Sequence, residues 1–451
     1  MRHDKRARRN FRLVAALLAG LGMPGAALAA PAPQVFQFAL QNGMQVVVIP
    51  DHRAAVVTQM LWFKVGAIDD MPGVSGLAHF FEHMMFRGTA RVPGDQYAQT
   101  IAKNGGEYNA FTTHDYTAFY EQIASDRLKL AMDLEADRMA NLDLSDTNVA
   151  TERDVVMEER RMRVDNNPQA LLGEQMEAAL HLSHPYGRPV IGWADEIRHI
   201  DKSSAQDFYK HHYAPNNATL IVAGDVTPDQ VRNLAQSEYG KLAARDLQPR
   251  AEFTEPPRLA ETRLTVSRPD AKVPVFQRVY RVPSYAQGRP GLAEGLETLA
   301  QVMGGDQTAA LYRILVEDKK LASDAGCSYD GYVRDGGEFT VYAVPRPGVS
   351  LETLERAIDQ VIAGFAAAPP RPEDLARAKT QLVASVIYRR DSQYALASAY
   401  GQALMIGLTV DDVNAWPDRI RAVTPAGVHD AVASLLRRDA VTAYLLPRGG
   451  K

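Results

Sequence analysis

The segment GLAHFFEHMMFRGT, residues 76–89, places His79, Glu82 and His83 within five consecutive positions of an otherwise apolar run. Its length and the stop at Gly88 predict a helix. Leu77, Phe80, Phe81, Met84, Met85 and Phe86 would draw that helix into a core. Three ionisable groups carried inside with it and left unsatisfied would cost several kcal/mol. Whatever fold the chain adopts must therefore bring something to them. Residues four apart on a helix share a face, with Cβ atoms about 6 Å apart, so His79 and His83 can offer two nitrogens to one ion. Neutral imidazole suits zinc, which takes three protein ligands in a catalytic site and leaves a fourth position for water; manganese and cobalt are the alternatives. Glu82 projects near the same face and can reach such a water as a general base.

A third ligand has to come from elsewhere. The densest acidic helix nearby is TERDVVMEERRMR, part of a helix expected from about Asp146 to Val164. Glu152 and Glu159 are seven apart and share a face, whereas Glu158 points about 100° away from Glu159. One of them can bind an ion while another orients a histidine from behind. Spacing alone does not choose among Glu152, Glu158 and Glu159.

The rest of the chain reads as α+β. VFQFALQNGMQVVVIP is two apolar runs flanking Asn42-Gly43, a tight-hairpin dipeptide. AAVVTQMLWFKVGA is a further strand. EYNAFTTHDYTAFYEQIA alternates as a hairpin, with THD at its turn. The proline-rich, charged stretch LQPRAEFTEPPRLAE, residues 247–261, is the expected linker. It separates an N-terminal domain, residues 30–246, from a C-terminal one, residues 262–451. Beyond the linker, strand and helix order looks similar to that before it, which suggests an internal duplication.

Residues 1–29 combine a basic start, a short apolar stretch and the small residues AALAA, the pattern of a secretory signal peptide. A periplasmic or secreted location is expected. Without them the chain holds 44 Lys and Arg against 53 Asp and Glu. No basic patch points to nucleic acid, and no second apolar run is long enough to span a membrane. Cys327 is the single cysteine, so an intrachain disulfide is excluded.

His79-Phe80-Phe81-Glu82-His83 matches H-x-x-E-H, the mark of the inverzincin metallopeptidases. The chain resembles their insulinase/pitrilysin-like family, which includes the mitochondrial processing peptidases. GGEYNAFTTHDYTAFY, HPYGRPVIG and YAPNNATLIVAGDV carry the likeness onward, and it extends over essentially all of residues 34–445. In that family a glutamate some 76 positions past the second histidine is the third ligand, and another lies seven before it; Glu159 and Glu152 stand at those places. The resemblance implies zinc held by His79, His83 and Glu159, with Glu82 as catalytic base and Glu152 behind the ligands. It implies two homologous domains per chain, each a mixed sheet packed with helices. Four such domains would close as a clamshell around a peptide substrate. EYNAF would be an edge strand that pairs with the peptide backbone, with Asn109 and Ala110 as substrate contacts.

One departure stands out. Active members carry an arginine and a tyrosine in a second-half segment that here reads LVEDKKLAS. Val316 stands at the arginine position and Ser323 at the tyrosine position. The expectation is a zinc endopeptidase subunit whose homologous partner chain supplies the missing pair, with a homodimer as the rival assembly. A scaffold or peptide-binding subunit of the same fold is the alternative function.

Overall fold

Asn42-Gly43 turns the chain back on itself. Gly43 takes a φ of 88°, open to glycine at no steric cost, and β1 (Phe36–Ala39) lies antiparallel to β2 (Gln45–Pro50). The computed structural model describes residues 33–436 and 440–447. The expected signal peptide falls outside the described residues. Four more strands complete the first sheet: β3 (Val56–Phe63), β4 (Glu107–Thr112), β5 (Thr117–Ala124) and β6 (Ala218–Gly224), in the order β1-β2-β6-β3-β5-β4. The second sheet holds β7 (Thr262–Arg268), β8 (Val275–Val282), β9 (Ala322–Asp330), β10 (Gly337–Pro345) and β11 (Ala440–Pro447), in the order β7-β11-β8-β10-β9.

Set side by side, the two orders repeat. The parallel pair β2/β6 corresponds to β7/β11, and the antiparallel pairs β6/β3, β3/β5 and β5/β4 correspond to β11/β8, β8/β10 and β10/β9. Only β1 has no counterpart among the described residues. The fold is thus a two-domain α+β arrangement of mixed sheets packed with helices, as expected. Neither β7 nor β11 is anticipated above: β7 alternates between half-buried and exposed positions and carries little of the apolar signal that marks a strand.

The middle strands are buried on both faces. In β2, Val46 and Val48 join the core beneath the H-x-x-E-H helix, while Val47 and Ile49 face the opposite side. In β6, Leu220 and Val222 face the first core, Ile221 and Ala223 the second. Continuous apolar runs of this kind require cover on both sides. The second cover comes from the other half of the chain. Ala397, Tyr400 and Met405 of the helix Gln393–Met405 pack on Val47, Met60 and Trp62. In return, Leu172, Met176 and Leu180 of the helix Pro168–Leu180 pack on Val279, Val441 and Ala443 of the second sheet.

Residues 247–261 form neither helix nor strand, yet they are tied down. Arg250 pairs with Asp69 through Nε at 3.0 Å. The Glu255 carboxylate accepts the backbone N–H groups of Leu182, Ser183 and His184. The stretch is a strap laid over the first domain.

Candidate metal centre

The motif helix runs Leu77–Met84. It starts at Gly76, whose φ of 90° and close approach to the Ile191 carbonyl leave no room for a Cβ. Its first free N–H groups are satisfied by Asp70, whose carboxylate accepts from Gly76 N at 2.6 Å and Ala78 N at 2.9 Å. A capped, glycine-seated start of this kind fixes the helix against the body of the domain.

His79 and His83 lie on one face, ring centroids 4.8 Å apart. The acidic helix Asp146–Arg160 crosses that face and continues as a widened π-type turn, Arg161–Asp165. One ring nitrogen of each histidine and one carboxylate oxygen of Glu159 all lie within 4.8 Å of one another. Glu159 Oε2 is 2.9 Å from His83 Nε2 and 3.7 Å from His79 Nε2. Its other oxygen faces Arg163 Nη1 at 2.9 Å. Glu152, buried, faces the far side of the His83 ring: Oε1 is 2.9 Å from Nδ1, and Oε2 binds Arg87. Glu158 turns to solvent and pairs with Arg161. Glu82 sits beside the cluster, one oxygen accepting the Thr112 hydroxyl at 2.6 Å.

The electrostatics match that geometry. Burial, helped by the charge of His83, pushes His79 down to about 4, so its imidazole is neutral. Burial opposes charge on His83 too, but the carboxylates of Glu152 and Glu159 outweigh it and lift the ring to about 9. Burial raises Glu82 above the ordinary glutamate range, which suits a proton acceptor. Burial also works to raise Glu152, but His83 and Arg87 together hold it below that range, and the adjacent His83 imidazole lowers Glu159.

The donor set fits a divalent ion of the zinc type. Because Glu152 can only accept, it keeps a proton on His83 Nδ1, and Nε2 is the nitrogen that can give its lone pair to an ion once its own proton has left. Glu159 Oε2, buried, makes no properly directed hydrogen bond despite its close nitrogens. Two imidazoles and a carboxylate whose donor atoms lie within 4.8 Å of one another are the usual ligands of a three-residue zinc site.

Asn109 and Ala110 lie on β4, which among the described residues pairs only with β5 and forms an edge of the first sheet. Asn109 is exposed and Ala110 buried. In the second half, Val316 is buried and Ser323 exposed. Of the nearby side chains, Tyr329 is committed to the Pro283 carbonyl at 2.7 Å, and Arg313 lines a separate cavity of about 460 Å³ with Phe365 and Pro370.

Arg87, Arg163 and Thr112 are not among the residues singled out above. The two arginines had a signal, since each lies four positions after a site residue. Thr112 had none, because nothing in the sequence says which strand end meets Glu82.

Residues 45–193 match the family model described as Insulinase (Peptidase family M16), and residues 199–382 the one described as Peptidase M16 inactive domain. An uncharacterized zinc protease of Mycobacterium leprae is 30% identical over 431 residues, 94% of each chain. The chain belongs to the insulinase family of peptidases. Other members include the zinc protease PqqE of Helicobacter pylori, 29% identical over 71% of this chain and 72% of that one. A protease from Helicobacter pylori shares the insulinase-family fold with a TM-score of 0.87 at 24% identity, over 92% of this chain and all of the other (100%). The periplasmic protease PqqL of Escherichia coli does so at 0.79 and 19% identity, over 93% of this chain and 48% of that one. The match to the inactive domain begins ahead of β6 and covers most of the second half. Among the described residues, the metal-type cluster lies in the first.

Proposed function

We propose that the chain is a zinc-dependent endopeptidase acting on peptides or small unfolded proteins, and that it works as the metal-bearing subunit beside a homologous partner chain. The observation that carries this reading is the convergence of His79, His83 and Glu159 donors within 4.8 Å, with Glu82 alongside. His79, His83 and Glu159 would hold the ion, and Glu152 would orient His83. Zinc held there would supply Lewis-acid polarisation of a carbonyl and lower the pKa of a water beside it.

Glu82 then takes a proton from the attacking water and delivers it to the leaving amine, so its raised proton affinity serves both transfers. The open edge of β4 aligns an extended peptide through backbone hydrogen bonds, with Asn109 and Ala110 in contact. Phe80, Phe81 and Met84, fully buried on the same helix, give Glu82 an apolar backing that strengthens polar contacts beside it.

Val316 and Ser323 leave the second half without the arginine and tyrosine that active relatives carry, which supports a partner chain as their source. The same two residues favour the alternative, a scaffold or peptide-binding subunit, if no partner provides them. The basic and apolar start of the sequence, and the likeness to a protease described as periplasmic, support a periplasmic or secreted location. Among the described residues no helix is long and apolar enough to cross a membrane.

The decisive experiment is Glu82→Gln in protein purified with any chain that accompanies it. Zinc content should be kept and peptide cleavage lost; retained turnover would remove Glu82 from the mechanism. Wild-type protein that holds zinc but cleaves no peptide in a broad library would favour the scaffold. Cleavage at full rate by the isolated chain would end the heterodimer idea.

A further inference from the structure

Glu82 has two carboxylate oxygens, and one of them is already taken. The Thr112 hydroxyl donates to Oε2 at 2.6 Å, a short bond to a group that is charged when it acts as a base. Thr112 is the last residue of β4, directly opposite Thr117 across the ladder. The Thr117 hydroxyl is fully buried; it donates to the Val65 carbonyl at 2.9 Å and lies 3.4 Å from Thr112 Oγ1. A hydroxyl carries a single proton. Thr117 spends its own on Val65 and asks nothing of Thr112, so the Thr112 proton is free to go to Glu82.

We infer that Thr112 is a positioning residue for the base: it pins Glu82 Oε2, fixes the plane of the carboxylate, and leaves Oε1 as the oxygen presented to the reacting water. This rests on the endopeptidase reading above and adds a coupling to it. The strand whose open edge would receive the substrate backbone is the same strand that aims the proton acceptor. A peptide that straightens and rigidifies β4 also tightens the hold on Glu82, so binding along the strand and proton transfer at the helix share one element.

The test compares wild type, Thr112→Val, Thr112→Ser and Glu82→Gln, each purified with any accompanying chain and assayed on internally quenched peptides. Thr112→Val keeps the shape of the side chain but has no proton to give. It should retain zinc content, unfolding midpoint and KM, while kcat falls about tenfold or more. Thr112→Ser should recover most of that loss. A second reading needs no turnover: in metal-free protein, carbodiimide-driven amine labelling of Glu82, followed by peptide mass analysis, should run several-fold faster in Thr112→Val because the carboxylate is released. Full kcat in Thr112→Val, or equal losses in the valine and serine variants with labelling unchanged, overturns the role of Thr112 and leaves the endopeptidase reading standing. Absence of zinc-dependent cleavage in wild type overturns both.

Discussion

Glu152 faces His83 Nδ1 at 2.9 Å and thereby turns the ring's Nε2 toward Glu159, also at 2.9 Å. One buried carboxylate thus holds a proton on the nitrogen that points away from Glu159. Loss of such a partner typically costs 10–100-fold in metal affinity. Glu152→Ala should weaken zinc binding by about that factor, measured by competition with a chromophoric chelator. Glu158→Ala, whose half-exposed carboxylate pairs with Arg161, should leave it unchanged.

Zinc uptake should release protons. Without an ion His83 titrates near 9 because two carboxylates flank it, so at pH 7.5 it is charged, while His79, held down to about 4, is neutral. An incoming cation must displace the Nε2 proton of His83. Calorimetry in buffers of different ionisation enthalpy should show about one proton released at pH 7.5. The number should fall toward zero as pH rises through about 9, where the ring is already neutral. A release that stays flat across that range would contradict the assignment.

Behind the motif helix, Arg138 is 3% exposed and is the counter-charge for Glu121 and Glu135, both 0% exposed. Its guanidinium is also enclosed by the rings of Phe86, Tyr97 and Phe119 at 4.6–4.9 Å. Removing one partner of a buried ion pair costs far more than the pair itself is worth. Arg138→Met should lower the stability of zinc-free protein by about 3–5 kcal/mol in urea unfolding. Arg421→Met, which breaks an exposed pair with Asp418, should cost less than about 1 kcal/mol.

The cross-packing of the two halves can be tested through two helical glycines. A Cβ on Gly401 would lie 2.1 Å from the Trp62 ring, whereas one on Gly173 would meet nothing within 4 Å. Gly401→Ala should destabilise by about 1–3 kcal/mol through overpacking. Gly173→Ala should stabilise by about 0.4–1 kcal/mol, because it restricts the unfolded chain at no steric cost. Denaturant unfolding of both variants checks the signs, and equal effects would mean that Gln393–Met405 does not press on the first sheet.

Much was legible along the chain. The length and apolar content of residues 76–88, the Asn42-Gly43 turn, the alternation in EYNAFT and the Gly-stopped helices each depend on neighbours within a few positions. Periodicity reports such neighbours directly. The four-residue spacing of His79 and His83 is local in the same sense, since it survives in any helix. The acidic helix could be found the same way, with Glu152 and Glu159 on its shared face.

What the sequence could not decide by itself was everything that joins distant segments. Periodicity did not choose a ligand among Glu152, Glu158 and Glu159, and only the family resemblance named Glu159 and Glu152; the crossing of two helices turns Glu159 to one side of His83, Glu152 to the other and Glu158 to Arg161. The helix Gln393–Met405 covers the first sheet because β2 and β6 are apolar on both faces and needed a second cover, and local pattern does not name the segment that provides it. Thr112 reaches Glu82 only because β4 ends beside the motif helix. Local propensity is set by a residue and its near neighbours, whereas a site is set by which faces are buried together, and only the folded chain decides that.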